Sequence, residues 1–427
     1  MIYRSEGEIV NKHEIWIINH YAITPDLPGG TRHYDFGCEL VKKGYNVRIF
    51  ASDVNLALRR HTKLQKNELW REENVNGVQF TWVCAATYKK NDWRRAWNML
   101  SFSVNVLRAG IQIKERPGTI IGSSPHPFAA LSGWLLARAK RSSFLLEVRD
   151  LWPQALIDMG ALKDRSLVTM GMRLLEYFLY KVARKIIILA PGSRGYLNKR
   201  GVQDNKIVYI PNGVHFGHFQ ADEAFTYMWT DKTSGGPSSS KDHTDKRPFI
   251  VMYAGAHGPA NALDTIIEAA RLLCNRTDIR FVLVGDGPVK PSLVMKAASY
   301  GLSNVDFMDP VPKDRVPSLL ASADATVITL KAAGAFGYAV SPNKLFDYMA
   351  AGKPVLCAVP GDMAEMVEKE GAGIAVQPED PQALASAVIR LANMPPSELN
   401  TMGQKGRVLV ETRFSRERLV DELVRIL

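Results

Sequence analysis

Short β-rich runs alternate with helical stretches along this chain, in two blocks separated by a polar interval. In the first block, strand-sized runs fall at 14–19, 46–51, 78–83, 119–122, 144–148, 185–189 and 206–210. Helical patterns separate most of them, a rhythm that predicts parallel strands joined by right-handed crossovers. It stops near Asn212. Residues 229–247 are polar and nearly free of apolar side chains, the composition of a linker or flexible loop. The alternation resumes at 249–254 and continues at 280–284, 305–308, 325–329 and 354–357. At 427 residues, 46% of them hydrophobic and 23% charged, the chain can build two cores. The expected architecture is α/β: two Rossmann-like domains with parallel sheets facing across a cleft, and ligands at the carboxyl ends of strands. The expected boundaries are 1–218, a polar interval 219–248, a second domain 249–405 and a terminal segment 406–427.

Charge is distributed unevenly. The formal net charge is +11. Residues 1–218 hold 32 Lys+Arg against 18 Asp+Glu, so they carry +14; the remaining 22 and 25 leave −3 for the rest. A basic first half suits an anionic partner, a membrane surface or nucleic acid, or is simply a solvated basic surface. No nucleic-acid recognition module accompanies the charge, so nucleic acid is not the expected partner. Apolar runs are strand-sized, which excludes a spanning helix, and no signal-peptide core opens the chain. The four cysteines, Cys38, Cys84, Cys274 and Cys357, are far apart, as expected of lone thiols in a reducing cytoplasm. D-x-D, H-E-x-x-H and G-x-S-x-G are all missing, so no essential metal is expected and an α/β-hydrolase is disfavoured.

The stretch 341–356, SPNKLFDYMAAGKPVL, reads as one device. Ser341 suits an N-cap, Pro342 the first helical position, and Gly352 the residue past the helix end. The helix start offers unpaired N–H groups and a positive dipole end to a phosphate, and Lys344 adds a charge. Asn343, Lys344 and Asp347 share a face, with Asp347 placed to accept ribose hydroxyls. The alternative is a capped amphipathic helix with a surface Lys–Asp pair. Two glycine-bearing turns end neighbouring strands: Gly255-Ala256-His257-Gly258 and Gly285-Asp286-Gly287. With Asn343, Lys344, Leu345 and Asp347 they are shaped for a nucleotide diphosphate. Gly29 and Gly30 precede a helix expected from about Thr31 and permit close backbone approach. Arg149 and Asp150 follow a strand, where they could grip phosphate and orient a hydroxyl or imidazole, or pair with each other. His126 is another strand-end residue, functional or structural. The segment 88–100 mixes Trp93, Arg94, Arg95 and Trp97 at helical spacing, either to lie on an anionic bilayer or to turn the tryptophans into the core.

The order of these motifs resembles the GT-B glycosyltransferases of family 4. The residues that carry it are Gly29-Gly30, Arg149-Asp-Leu-Trp-Pro153, Pro211-Asn-Gly-Val214, Tyr253-Ala-Gly255, Leu283-Val-Gly-Asp-Gly-Pro288 and 341–356. The Arg-Asp-Leu-Trp-Pro form is most similar to bacterial O-antigen and capsule enzymes, including the N-acetyl-L-fucosamine transferase-like branch. The resemblance implies a donor nucleotide on the second domain, an acceptor on the first, and a C-terminal helix crossing back. It implies a retaining, metal-independent transfer from a nucleotide-diphosphate sugar, UDP being the family's commoner choice, to a polyprenyl-diphosphate-linked saccharide. No cofactor beyond the nucleotide-sugar co-substrate is expected. The implied location is cytoplasmic, peripheral on the inner face of the bacterial inner membrane. Catalytic roles then fall on His126, Arg149, Asp150 and Lys344. The chain departs from the family in four places: Ala339 replaces the first glutamate of E-x7-E, Asp347 replaces the second, Arg149 stands where the first-domain motif usually has a His before its Asp, and 256–261 lacks the usual Arg and Lys. A non-catalytic nucleotide-sugar-binding assembly protein and a GT-B sugar-nucleotide epimerase are the alternatives.

Overall fold

The computed structural model describes residues 11–88, 92–219, 247–332 and 339–427. The chain divides into two compact units, Met1–Asn212 with Arg416–Leu427, and Gly213–Ser415.

The first unit runs β1 (Asn11–Ile18), α1 (Arg32–Lys42), β2 (Asn46–Ser52), β3 (Trp70–Val75), β4 (Val78–Val83), α2 (Trp93–Gln112), β5 (Pro117–Ser123), α3 (Pro127–Lys140), β6 (Ser143–Val148), α4 (Gln154–Asp158), α5 (Leu167–Val182), β7 (Lys185–Ile188), α6 (Ser193–Asn198) and β8 (Ile207–Tyr209). Its sheet has the order β3-β4-β2-β1-β5-β6-β7-β8 and is parallel except for β3. β1 lies inside the sheet, with Ile15 opposite Val47 on one side and Thr119 on the other. Both its faces are covered, so it reads as a nearly unbroken apolar run in which Ile15, Trp16, Ile17 and Ile18 are all buried. Helices α2 and α5 both pack on α3 and so share one face of the sheet.

The second unit runs β9 (Phe249–Ala254), α7 (Asp264–Leu272), β10 (Ile279–Val284), α8 (Lys290–Ser299), β11 (Val305–Met308), α9 (Val316–Ala321), β12 (Ala325–Thr329), α10 (Asn343–Ala350), β13 (Val355–Ala358), α11 (Asp362–Lys369), β14 (Gly373–Ala375), α12 (Pro381–Ala392) and α13 (Pro396–Arg413). Its sheet, β11-β10-β9-β12-β13-β14, is parallel throughout. The core gathers Val251, Tyr253, Ile266, Phe281 and Val327 with Leu384 and Val388 of α12.

Every strand expected from the sequence is present, and β3 and β14 are additional. The expected boundaries shift. The first unit ends at Asn212, not 218, and the terminal segment expected at 406–427 is two helices. α13 stays in the second unit, and only α14 (Arg416–Val424) joins the first. There Leu419, Val420 and Leu423 enter the core beside Leu40, Val47 and Ile49. The interval 220–246 lies outside the described residues.

Candidate active site

In the second unit the strand ends bring three segments together: the loop after β9, the turn after β10 and the start of α10. The loop and turn are stitched by backbone bonds, Gly255 N–H to Val284 O at 2.9 Å, His257 N–H to Asp286 O at 2.8 Å and Val289 N–H to His257 O at 3.1 Å. Glycine is required for this approach. Gly285 has φ +140°, and a Cβ there would lie 2.0 Å from the Gly255 carbonyl oxygen. A Cβ on Gly255, φ +156°, would meet Lys344 Cδ at 2.6 Å.

Lys344 is the cation of this cradle. Its Nζ donates to Tyr253 Oη at 2.7 Å and to Asn261 Oδ1 at 2.8 Å, and lies 4.6 Å from the Tyr253 ring centre. Tyr253 Oη and Asn261 Nδ2 each donate in turn to the Ala256 carbonyl, at 2.7 and 2.9 Å. One lysine thus ties the helix start to the loop. Among the described residues no carboxylate stands within ion-pair distance of Lys344. Burial pulls its ammonium down to about 7. His257 is fully buried, with neither ring nitrogen in a hydrogen bond. Burial and then the nearby Lys290 ammonium lower it to about 4, so it is neutral at pH 7. Tyr348 fixes α10 against β9 by donating to Ala254 O at 2.9 Å and accepting from Ala254 N at 2.8 Å.

The helix start differs in detail from the expected one. α10 begins at Asn343, Pro342 is its N-cap in extended conformation, and Ser341 precedes the cap. Leu345 is expected from the sequence among the nucleotide-binding residues. It donates to Pro342 O at 3.1 Å and its side chain is core, so it is not a ligand donor in this conformation. The Asn343 and Lys344 amides, with no helical turn before them, remain the dipole's free end. Asn343 Oδ1 is buried without a partner, and Asp347 is half-buried one turn on. Gly258 is half-buried beside Asn261.

The first unit gathers a buried polar network at the ends of β1, β5 and β6. Glu147 accepts from Arg32 Nε at 3.0 Å, His33 Nε2 at 2.7 Å and Ser123 Oγ at 2.5 Å. Arg32 also donates to the Ile210 carbonyl at 2.9 Å and to that of Pro211. Burial alone would raise the Glu147 carboxyl; His33 and Arg32 outweigh it and hold the group well below the usual range. None of these residues was singled out in the sequence. Glu147 and His33 look like ordinary strand-end and helix residues until the sheet brings them together.

Two assignments in this unit change. His126 is completely buried and is the N-cap of α3. Its Nδ1 accepts from Ala129 N–H at 3.3 Å, which places its proton on Nε2, 2.8 Å from His20 Nδ1. Both ring nitrogens are engaged, so in this structure it serves as a helix cap. Arg95, expected at a membrane contact, is half-buried, and its charge faces His20, His126 and Asp150. Trp93 and Trp97 are 72% and 57% exposed and Arg94 is exposed, so this pair of tryptophans is not core packing. Asp150 is exposed, and Arg149 is half-buried near Glu147 and His33. Gly29, φ +140°, and Gly30 form an exposed loop before α1.

Comparison with known proteins matches these two units. Residues 29–213 match the family described as glycosyl transferase 4-like domain, and residues 248–394 that described as glycosyl transferases group 1. Probable glycosyltransferase WbjE of Pseudomonas aeruginosa is 23% identical over 315 residues, 71% of this chain and 72% of the relative. Among solved structures, sucrose-phosphate synthase from Thermosynechococcus elongatus superposes with a TM-score of 0.73 at 18% identity, covering 97% of this chain and 98% of its own. Anabaena Alr3699/HepE in complex with UDP and glucose superposes with a TM-score of 0.68 at 14% identity, covering 96% and 98%. With a glycosyl transferase 4-like domain followed by a group 1 domain, each on its own parallel sheet, the chain is a glycosyltransferase of the GT-B type.

Proposed function

We propose that the chain transfers a sugar from a nucleotide-diphosphate sugar to a lipid-diphosphate-linked saccharide in bacterial surface-polysaccharide assembly, on the cytoplasmic face of the inner membrane. The observation that carries this reading is Lys344. It is a half-buried ammonium with no carboxylate at ion-pair distance among the described residues, pinned between a glycine cradle and a helix N-terminus, as a diphosphate leaving group requires. Cleavage of the sugar–oxygen bond leaves its electron pair, and so one further negative charge, on the terminal phosphate of the nucleotide. Lys344, the Asn343 and Lys344 amides and the α10 dipole would stabilise that charge without a metal. Asp347 would accept ribose hydroxyls, and Gly255, His257, Gly258 and Gly285 would frame the phosphates, the neutral His257 as a donor from one nitrogen. UDP is the donor nucleotide we favour, in keeping with the UDP bound by the Anabaena neighbour. Retention of configuration fits a site where Ala339 stands in place of a carboxylate, because attack from the leaving-group side needs no protein nucleophile. Arg149 and Asp150 would act on the acceptor side, and the exposed Trp93, Arg94 and Trp97 would meet anionic lipid.

The test is product analysis with a lipid-diphosphate sugar acceptor and a panel of UDP-, GDP- and dTDP-sugars, in EDTA. Acceptor-dependent transfer from one donor is expected. An altered sugar nucleotide formed without acceptor would make the protein an epimerase, and binding without any product would make it an assembly protein.

A further inference from the structure

The helix α5 carries apolar side chains on both of its sides. Its inward side holds the buried Thr169, Glu176, Leu179 and Tyr180 with the half-buried Met172, Leu175 and Phe178, the last packed edge-on against Trp134. Each polar group there is satisfied: Tyr180 Oη donates to Glu176 at 2.9 Å, Arg200 Nε to Glu176 at 3.1 Å, and Thr169 Oγ1 to Lys163 O at 2.8 Å. Its outer side carries Leu167, Met170, Leu174 and Tyr177, at exposures of 86%, 55%, 70% and 56%. Their spacing of three, four and three residues puts them in one stripe along the helix. A run of large exposed apolar groups on one face of a helix marks a surface that meets something other than water.

The flanks say what that is. Lys163, Arg165, Arg173 and Lys181 are all exposed around the stripe, and the single exposed acid is Asp164, which pairs with Arg173 at 2.5 Å. An apolar stripe with a basic rim is complementary to the apolar interior and anionic headgroups of a bilayer surface. The helix is 16 residues long, and among the described residues no helix is long and apolar enough to cross a membrane. A helix of this kind lies in the interface.

We infer that α5 is a membrane-docking element: Leu167, Met170, Leu174 and Tyr177 enter the acyl boundary of an anionic leaflet while Arg165, Arg173 and Lys181 meet its phosphates. The inference rests on the peripheral-membrane part of the proposed function but uses a helix that reading does not invoke. Docking here brings α2 and α3, which share the same face of the sheet, toward the lipid as well.

The test is flotation of the full chain with phosphatidylglycerol-containing vesicles and with pure phosphatidylcholine vesicles. The variant Leu167→Ser/Leu174→Ser should bind the anionic vesicles at least about tenfold more weakly, since each substitution removes a large apolar group from the interface. Arg165→Glu/Arg173→Glu should lose the preference for anionic over neutral vesicles. Both variants should keep nucleoside diphosphate affinity and circular dichroism, because neither touches the second unit or a buried group. Unchanged flotation of the Leu167→Ser/Leu174→Ser variant overturns the inference. So does a wild-type dimer in sedimentation that this variant dissociates without any change in vesicle binding, because the face would then cover a second copy. Loss of flotation with retained nucleotide binding leaves the donor site standing, so the two readings fail separately.

Discussion

At the residue scale Lys344 has two hydrogen-bond partners and no counter-ion among the described residues, so its charge depends on what enters the cradle. Free, it titrates at about 7; beside a diphosphate its ammonium is stabilised and its pKa rises. Nucleotide binding above neutrality therefore takes up a proton, and affinity falls as pH rises through about 7 and beyond. Calorimetry in buffers of different ionisation enthalpy should show that uptake at pH 8, and Lys344→Arg, which stays charged, should abolish it. The same depressed pKa acts on stability with the opposite sign. The unfolded lysine holds its proton up to its ordinary range, so between about 7 and that range the unfolded state binds more protons, and this group's contribution to stability rises with pH. Asp347→Asn should weaken binding of the free nucleoside diphosphate severalfold in the same titration, because an amide accepts ribose hydroxyls less well than a carboxylate. Much of this site is legible in the sequence, since glycines at strand ends and a proline before a lysine are local signals. What is not legible is that Lys344 meets Tyr253 and Asn261, contacts spanning 91 and 83 residues. His126 is a related case. A histidine before a proline also makes a helix cap, and only the buried His20 beside it shows which role holds.

At the element scale the strands are where the alternation puts them, because parallel strands buried on both faces leave continuous apolar runs. β3 escapes that rule. It is an edge strand of sequence WREENV, paired antiparallel to β4, with exposed or half-buried residues throughout. Its one local signal is the Asn76-Gly77 pair, at φ 53° and 84°, a two-residue hairpin turn. β14 is three residues long, too short for any periodicity. The turn after β10 is the element least tolerant of change. Gly285→Ala would force a Cβ against the Gly255 carbonyl at a positive φ, and should cost at least about 2 kcal/mol, read by denaturant unfolding of the full chain. The helix α14 crosses from the end of the second unit's sequence into the first unit's core. Leu423→Ala should destabilise that unit by about 2–5 kcal/mol, seen as faster amide exchange in β1 and β2 with exchange in β9 and β10 unchanged.

At the scale of the whole molecule the two units divide charge as they divide labour. The first 218 residues carry +14 and hold the exposed tryptophans of α2; the later half, net −3, holds the cradle around Lys344. A basic surface of this size should bind anionic vesicles strongly at low salt and release them as the Debye length shrinks. Flotation between about 0.05 and 0.5 M salt should show that loss, while nucleotide affinity should change less, since a hydrogen-bonded contact at close range is screened less than a diffuse surface charge. The central claim is that a nucleoside diphosphate sits against Lys344, and the most direct measurement is calorimetric titration of the full chain and its Lys344→Ala variant with UDP, GDP and dTDP in EDTA. The account predicts one-to-one, metal-free binding of one nucleotide to the wild type and an affinity lower by at least about tenfold in the variant, as expected for loss of a buried charge-assisted contact. Equal affinities in a folded variant, or no binding of any nucleoside diphosphate to the wild type, would contradict it.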